Sequence, residues 1–224
     1  MAVDGAVLLL ESDIMHDLEL AALPFQRIAV IDSHSAAQFP CVDSDQAGGA
    51  RSAIDHLLAL GHRTVHHIAG PSASYSARRR SDAWRARLVE RGRKVPAVIQ
   101  GDWSAPSGYQ AGHQIADAGE ATAVFVANDE MALGVMRAFL ERGIRVPQDV
   151  SIVGFDDIGM ATDFPTPLTT VHQEFDLVGA TCVDLLIAQI ENNIVPEAGL
   201  TLVPTRLVIR SSTAAPRPGA TPAG

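Results

Sequence analysis

The sequence predicts an α/β protein whose parallel strands are covered on both faces by helices, and three observations carry that prediction. Short apolar runs alternate with helix-length amphipathic segments along most of the chain, the pattern of βα units with brief connections. The run Ala123 to Val126 passes straight into Ala127-Asn128-Asp129-Glu130-Met131-Ala132-Leu133-Gly134. A buried strand thus delivers small polar residues to a helix start, the place where open α/β sheets bind ligands. One helix further on, Val150-Ser151-Ile152-Val153-Gly154-Phe155-Asp156-Asp157 repeats the arrangement with carboxylates at the strand's end. Two such mouths in tandem suggest one cleft.

The elements follow in order. Val3 to Leu10 is a predicted strand, Asp13 to Leu23 a short helix, and Arg27 to Ile31 a strand ending at Asp32, with Pro24 as the stop between them. Asp45 or Gln46 opens a helix through Ile54, Leu57, Leu58 and Leu60, which Gly61 ends as a C′ residue. Thr64 to Ala69 is the next strand and leads through Gly70-Pro71-Ser72 into a helix from about Ser76 to Arg91. Further βα units are Ala97 to Ile99 with Ser107 to Asp117, and Ala123 to Val126 with Asp129 to Arg142, followed by a strand at Ser151 to Val153. The closing section holds a strand at Leu168 to Val171, a helix from Phe175 to about Ile190 and a strand at Thr205 to Ile209. The Pro-, Gly- and Ala-rich tail from Ala214 is expected to be disordered.

At 224 residues, 47% hydrophobic and 19% charged, the chain can bury the core of one large or two small soluble domains. No apolar run approaches the ~20 residues of a membrane span, and Met1 to Glu11 lacks the basic start and cleavage pattern of a secretory signal. The expectation is a cytoplasmic protein with no membrane role. Cys41 and Cys182 stand far apart without metal-ligand spacing, so neither zinc nor a disulfide is implied.

A net charge of −9 and a pI near 5.2 argue against a surface that grips nucleic acid. Basic residues do crowd between Arg78 and Lys94, but Trp84 and Leu88 give the same helix an apolar i, i+4 stripe. The segment reads as a solvated helix face from which an arginine can still point inward.

No catalytic constellation stands out. His62, His66 and His67 suggest a metal cluster, yet His66 and His67 are neighbours on a predicted strand and point to opposite faces. The phosphate-loop, nucleophile-elbow and zinc-protease motifs are missing, and no cofactor is implied. Asp156 and Asp157 diverge as consecutive residues, and Asp157 reads best as a helix cap.

What remains suits a polyhydroxylated ligand, which needs rigid donors and acceptors plus a flat apolar face. Asn128 offers an amide, Asp156 two acceptor oxygens, Arg80 a fork of donors and Trp103 a stacking plane.

Six blocks, taken in order and spacing, resemble the effector-binding core of the lactose-repressor (LacI/GalR) family of bacterial transcription regulators. They are Leu60-Gly61-His62-Arg63, Ile68-Ala69-Gly70-Pro71, Val126 to Gly134, Val146 to Asp157, Pro167 to Val171 and Leu207 to Thr213. The resemblance covers nearly the whole chain up to Thr213. It implies a periplasmic-binding-protein-like fold of two parallel-sheet, Rossmann-like subdomains: residues 1–60 with 174–203, and residues 61–173 with 204–213, followed by the tail 214–224. By motif, Arg80, Asn128 and Asp156 match the family's effector-binding arginine, asparagine and aspartate, while Trp103, Gln173 and Phe175 look like its pocket-lining residues. The implied ligand is a mono- or disaccharide, with a lean towards galactosides.

The implied assembly is a homodimer through the helix carrying Met131 and Leu133 and the loop near Phe164. Ala83 departs from the family's usual glycine before the aromatic at Trp84, which puts the aim of Arg80 in question. The chain also starts at what resembles the family's third strand. The amino-terminal subdomain is therefore expected to be incomplete, and DNA contact is expected only through a helix-turn-helix missing from these residues. A stand-alone periplasmic-type sugar-binding protein and an α/β enzyme using Asp156 or a histidine are the competing classes.

Overall fold

The computed structural model describes residues 3–10, 27–31, 36, 38–192 and 197–217. In chain order its elements are β1 (Ala6–Leu9), β2 (Ile28–Ile31), β3 (Pro40–Ser44), α1 (Gln46–Ala59), β4 (His66–Ala69), α2 (Tyr75–Glu90), β5 (Ile99–Gln100) and α3 (Ala105–Ala118). Then come β6 (Ala123–Val126), α4 (Asp129–Glu141), β7 (Ser151–Asp156), a 3-10 turn (Gly159–Thr162), β8 (Thr169–Gln173), α5 (Phe175–Asn192), β9 (Gly199–Val203) and β10 (Thr205–Val208). The expected helix Asp13 to Leu23, and Asp32, lie outside the described residues.

The chain divides into two compact units, one holding Met1–Gln46, Ala73–Ser76 and Glu174–Thr205, the other Ala47–Ser72, Ala77–Gln173 and Arg206–Gly224. The boundary expected at residue 60 falls instead at residue 46, so nearly all of α1 belongs to the second unit. The reason is its apolar stripe: Ala50, Ala53, Ile54 and Leu57 are completely buried and pack with Trp84, Phe125 and Phe155.

The first unit has the strand order β1-β2-β3-β9, all pairs parallel. Helix α5 supplies Val178 and Cys182 to a core with Ala29, Val42 and Val203. Gln189 of α5, 1% exposed, accepts from the Ile28 N–H at 3.2 Å and donates to the Ile28 carbonyl at 3.1 Å, satisfying strand groups from a helix. Strand β1 ends the order, with Val7 39% and Leu9 67% exposed.

The second unit has the order β10-β8-β7-β6-β4-β5, with the pairs from β8 through β5 parallel. Its central strand β6 is buried at every residue. Val124 and Val126 belong to the core formed with α3 and α4, and Ala123 and Phe125 to the one formed with α1 and α2. That alternation is the period of two that a sheet covered on both faces requires. Helices α3 and α4 approach through glycine: a Cβ at Gly134 would lie 2.0 Å from the Ala105 carbonyl oxygen, and one at Gly108 2.1 Å from that of Met131.

This packing corrects the expected dimer surface. Met131 is 0% exposed and Phe164 6%, both inside the α3–α4 core, so neither is available to a partner. Leu133 is half-buried and stays a candidate. The apolar excess of α4 is used by α3, which closes on it through small residues.

The tail is corrected as well. Ala214 donates its N–H to Ser151 Oγ at 3.0 Å and its carbonyl accepts from His62 Nε2 at 3.0 Å, while Arg217 pairs with Asp149 at 2.7 Å. Residues 214–217 are therefore anchored, and 218–224 lie outside the described residues. No helix among the described residues is long and apolar enough to cross a membrane.

Candidate functional site

Because β4 to β8 run parallel, their carboxyl ends open at one edge of the second unit's sheet, and five of the expected site residues gather there. Arg80, in the second turn of α2, is 4% exposed. Its guanidinium carbon sits 3.7 Å from the centre of the Phe155 ring, a cation–π distance. Nη1 donates to the Ala127 carbonyl at 2.5 Å and lies 3.4 Å from Asp156 Oδ1. Ala83 is buried beside Trp84, and the extra methyl does not keep Arg80 from reaching the strand ends.

Gln173, at the end of β8, donates its Nε2 to Asp156 Oδ1 at 2.7 Å. Burial raises the Asp156 carboxyl above the ordinary carboxylate range, while the Arg80 charge and the Gln173 bond pull against it. Asp156 and Asp157 have φ of 108° and 56°. For non-glycine residues such backbone costs on the order of 1–3 kcal/mol each and persists only where surroundings over-determine it. Asp157 is held by His172 Nδ1 at 2.9 Å and Arg210 Nη2 at 2.6 Å. It is an anchor for β8 and the residues after β10, and the helix-cap expectation is wrong.

Asn128 is committed at both ends of its amide. Oδ1 accepts from the Met131 N–H at 2.9 Å, capping α4, and Nδ2 donates to the Trp103 carbonyl at 2.9 Å. Trp103 has φ 76° and is half-buried. Its ring lies where a Cβ on Gly70 would be, 2.4 Å away, and 5.5 Å from the Arg80 guanidinium. Asp102 stabilises the loop by accepting from the Ser104 N–H at 2.9 Å and hydroxyl at 2.5 Å. The edge thus presents a carboxylate, a guanidinium, an amide and a tryptophan face. Phe175 belongs to the first unit, 58% exposed at the head of α5.

A profile of the periplasmic binding protein-like domain matches residues 54–213. This chain belongs to that family. Within it the relatives are lactose-repressor-type regulators: the lactose operon repressor of Escherichia coli is 44% identical over 169 residues, covering 75% of this chain and 46% of that protein. The regulator CelR of Thermobifida fusca is 34% identical over 177 residues, covering 78% and 50%. The chain spans about half the length of the curated relatives it matches. Among solved structures, the lac repressor dimer bound to operator and the anti-inducer ONPF superposes with TM-score 0.86 at 36% identity, covering 95% of this chain and 74% of that one. The CelR–cellobiose complex gives 0.84 at 32%, covering 94% and 66%.

His62 and His67 serve structure. His62 bridges Thr122 at 3.0 Å and the Ala214 carbonyl. His67 is fully buried, stacked on Phe125 at 4.9 Å, and donates from Nδ1 to the Phe125 carbonyl at 3.0 Å, leaving Nε2 without a partner among the described residues. Burial pushes it down to about 4. A hollow of about 280 Å3 opens at the opposite edge of the sheet over Ile115, Phe139 and Ile144. Its carboxylate at Asp149 is taken by Arg145 and Arg217, so it does not rival the strand-end cluster.

The sequence reading missed Asp129. It is 0% exposed and is raised to about 7, chiefly by burial, against hydrogen bonds from Thr170 and the Ile158 N–H. The available signal was a second polar residue, an acid, directly after Asn128 at a helix start, where one polar residue suffices as a cap.

Proposed function

We propose that this chain is the effector-binding and dimerisation core of a LacI-type bacterial transcription regulator, that its effector is a mono- or disaccharide, and that it binds without turnover. The observation that carries the reading is the convergence of Arg80, Asp156, Gln173, Asn128 and Trp103 on one strand edge. Charge-assisted donors and acceptors flank an aromatic face there, the chemistry of a sugar's hydroxyls and its C–H surface. A related structure holding cellobiose and others of lac repressor with ONPG or ONPF support this class of ligand. Dimeric lac repressor relatives support a homodimer. Operator contact is assigned to a helix-turn-helix outside these residues, consistent with a net charge of −9. The cell compartment that fits is the cytoplasm.

Calorimetry across a panel of galactosides, glucosides and free monosaccharides tests the reading. Micromolar to millimolar binding, about 8 to 4 kcal/mol, with no product formed, is expected. Silence across the panel from demonstrably folded protein overturns it.

A further inference from the structure

Asp129 is the first residue of α4 and is completely buried. Its Oδ1 accepts from the Thr170 hydroxyl at 2.6 Å and its Oδ2 from the Ile158 N–H at 3.0 Å. No basic side chain pairs with it among the described residues. A buried carboxyl normally comes with a cation, so this one is held for something other than ion pairing.

Its seat is defined by sheet register. Gly154 of β7 pairs with Thr170 of β8, and a Cβ on Gly154 would come within 2.2 Å of Asp129 Oδ1. The carboxyl fills the space that glycine leaves. It therefore grips the sheet just before the Asp156–Asp157 turn, at the Gly154–Thr170 pair, and the backbone just after it, at Ile158. Both turn residues carry positive φ. The bonds from Gln173, His172 and Arg210 fix their side chains, whereas Asp129 ties down the main chain that follows.

We propose that Asp129 is a positioning residue for the effector site, pinning the strained Asp156–Asp157 turn so that the Asp156 carboxylate is held for the ligand. This rests on the sugar-binding reading above. The charges that face Asp129 are those of Asp156 and Asp157 at the end of β7. Arg80 of α2 stands behind Asp156, and His172 of β8 and Arg210 stand behind Asp157. A ligand covering Asp156 removes water that screens the two carboxyls from one another, and so favours a proton on Asp129. Ligand affinity accordingly falls as pH rises through about 7.

The test is calorimetric titration between pH 6 and 8.5 with the tightest sugar of the panel, for wild type, Asp129→Asn and Thr170→Val. The wild-type affinity is expected to drop several-fold across this range. Asp129→Asn, which keeps shape but cannot accept from both donors, is expected to bind about tenfold more weakly with a flat profile. Thr170→Val removes a bond to the ionised carboxyl and moves the midpoint of the profile upward. Wild-type affinity and profile in folded Asp129→Asn overturn the proposal alone. If Asp129→Asn does not fold, an unmoved midpoint in Thr170→Val overturns it. Wild type that binds no sugar overturns the sugar reading and this inference with it.

Discussion

Replacing Arg80 with methionine separates what its charge does from what its length does. The apolar stem can still lie on Phe155, but the donor to the Ala127 carbonyl at 2.5 Å and the cation 3.4 Å from Asp156 Oδ1 are gone. A hydrogen bond to a charged group contributes about 1.5–3 kcal/mol, so the loss of Arg80 as a ligand donor corresponds to roughly ten- to 150-fold in affinity. Breaking a buried ion pair costs about 3–5 kcal/mol of stability. The Asp156 side chain keeps 23% exposure, which brings the expectation nearer 1–3 kcal/mol.

The pH dependence of Arg80→Met has a definite sign. Asp156 is already raised above its ordinary value, and without the cation it rises further. A carboxyl raised in the folded state opposes folding once it ionises, so the deficit is absent below about pH 4 and grows as pH increases towards the folded value. Arg80→Met should therefore lose more stability relative to wild type at pH 8 than at pH 4.5. Urea unfolding at both pH values and calorimetry with sugar measure the two effects. Unchanged affinity, or a destabilisation equal at both pH values, refutes the reasoning.

Three further outcomes are expected. His67 is depressed to about 4 from 6.5, so its contribution is complete above 6.5 and lost as pH falls towards 4, about 3 kcal/mol in all. His67→Phe removes this loss, so the variant loses less stability than wild type on acidification in chemical denaturation, and a wild-type slope counts against the assignment. Leu133→Arg should convert a sedimenting dimer to monomer without lowering the melting temperature by more than a few degrees; a dimer that survives moves the interface elsewhere. Amide exchange should protect Val124 to Val126 and Ile152 to Val153 more than Val7 to Leu9, because β6 is buried on both faces whereas β1 ends its sheet order with Leu9 67% exposed. Equal protection contradicts that.

Local pattern revealed what local chemistry decides. The strand Ala123–Val126 and the helix starting at Asp129 fall where the apolar run and the cap residue put them, and Gly61 ends α1 with φ 100°. Strands β3 and β9 escaped notice because Pro40, Asp43 and Gly199 break their apolar pattern, and each becomes a strand by pairing with a partner about 160 residues away. Distance in sequence also hid the seat of Asp129, which exists only because Gly154 and Thr170 meet across two strands. The dimer expectation failed at Met131 because a helix apolar on several faces looks the same whether a neighbouring helix or another molecule covers it. Arg80, Asp156 and Trp103 were legible as chemical types and Gln173 only through the family resemblance, while the dual commitment of the Asn128 amide was not.

That amide sets a rule for redesigning selectivity. One substitution at Asn128 would start α4 differently and release the carbonyl of the stacking tryptophan at once, so a library varying this position mixes altered recognition with altered folding. Ser72 and Glu130 are exposed and flank the cluster in sequence. Varying them with the Asn128–Asp129 pair held constant gives a search in which binding can change while the platform beneath it does not.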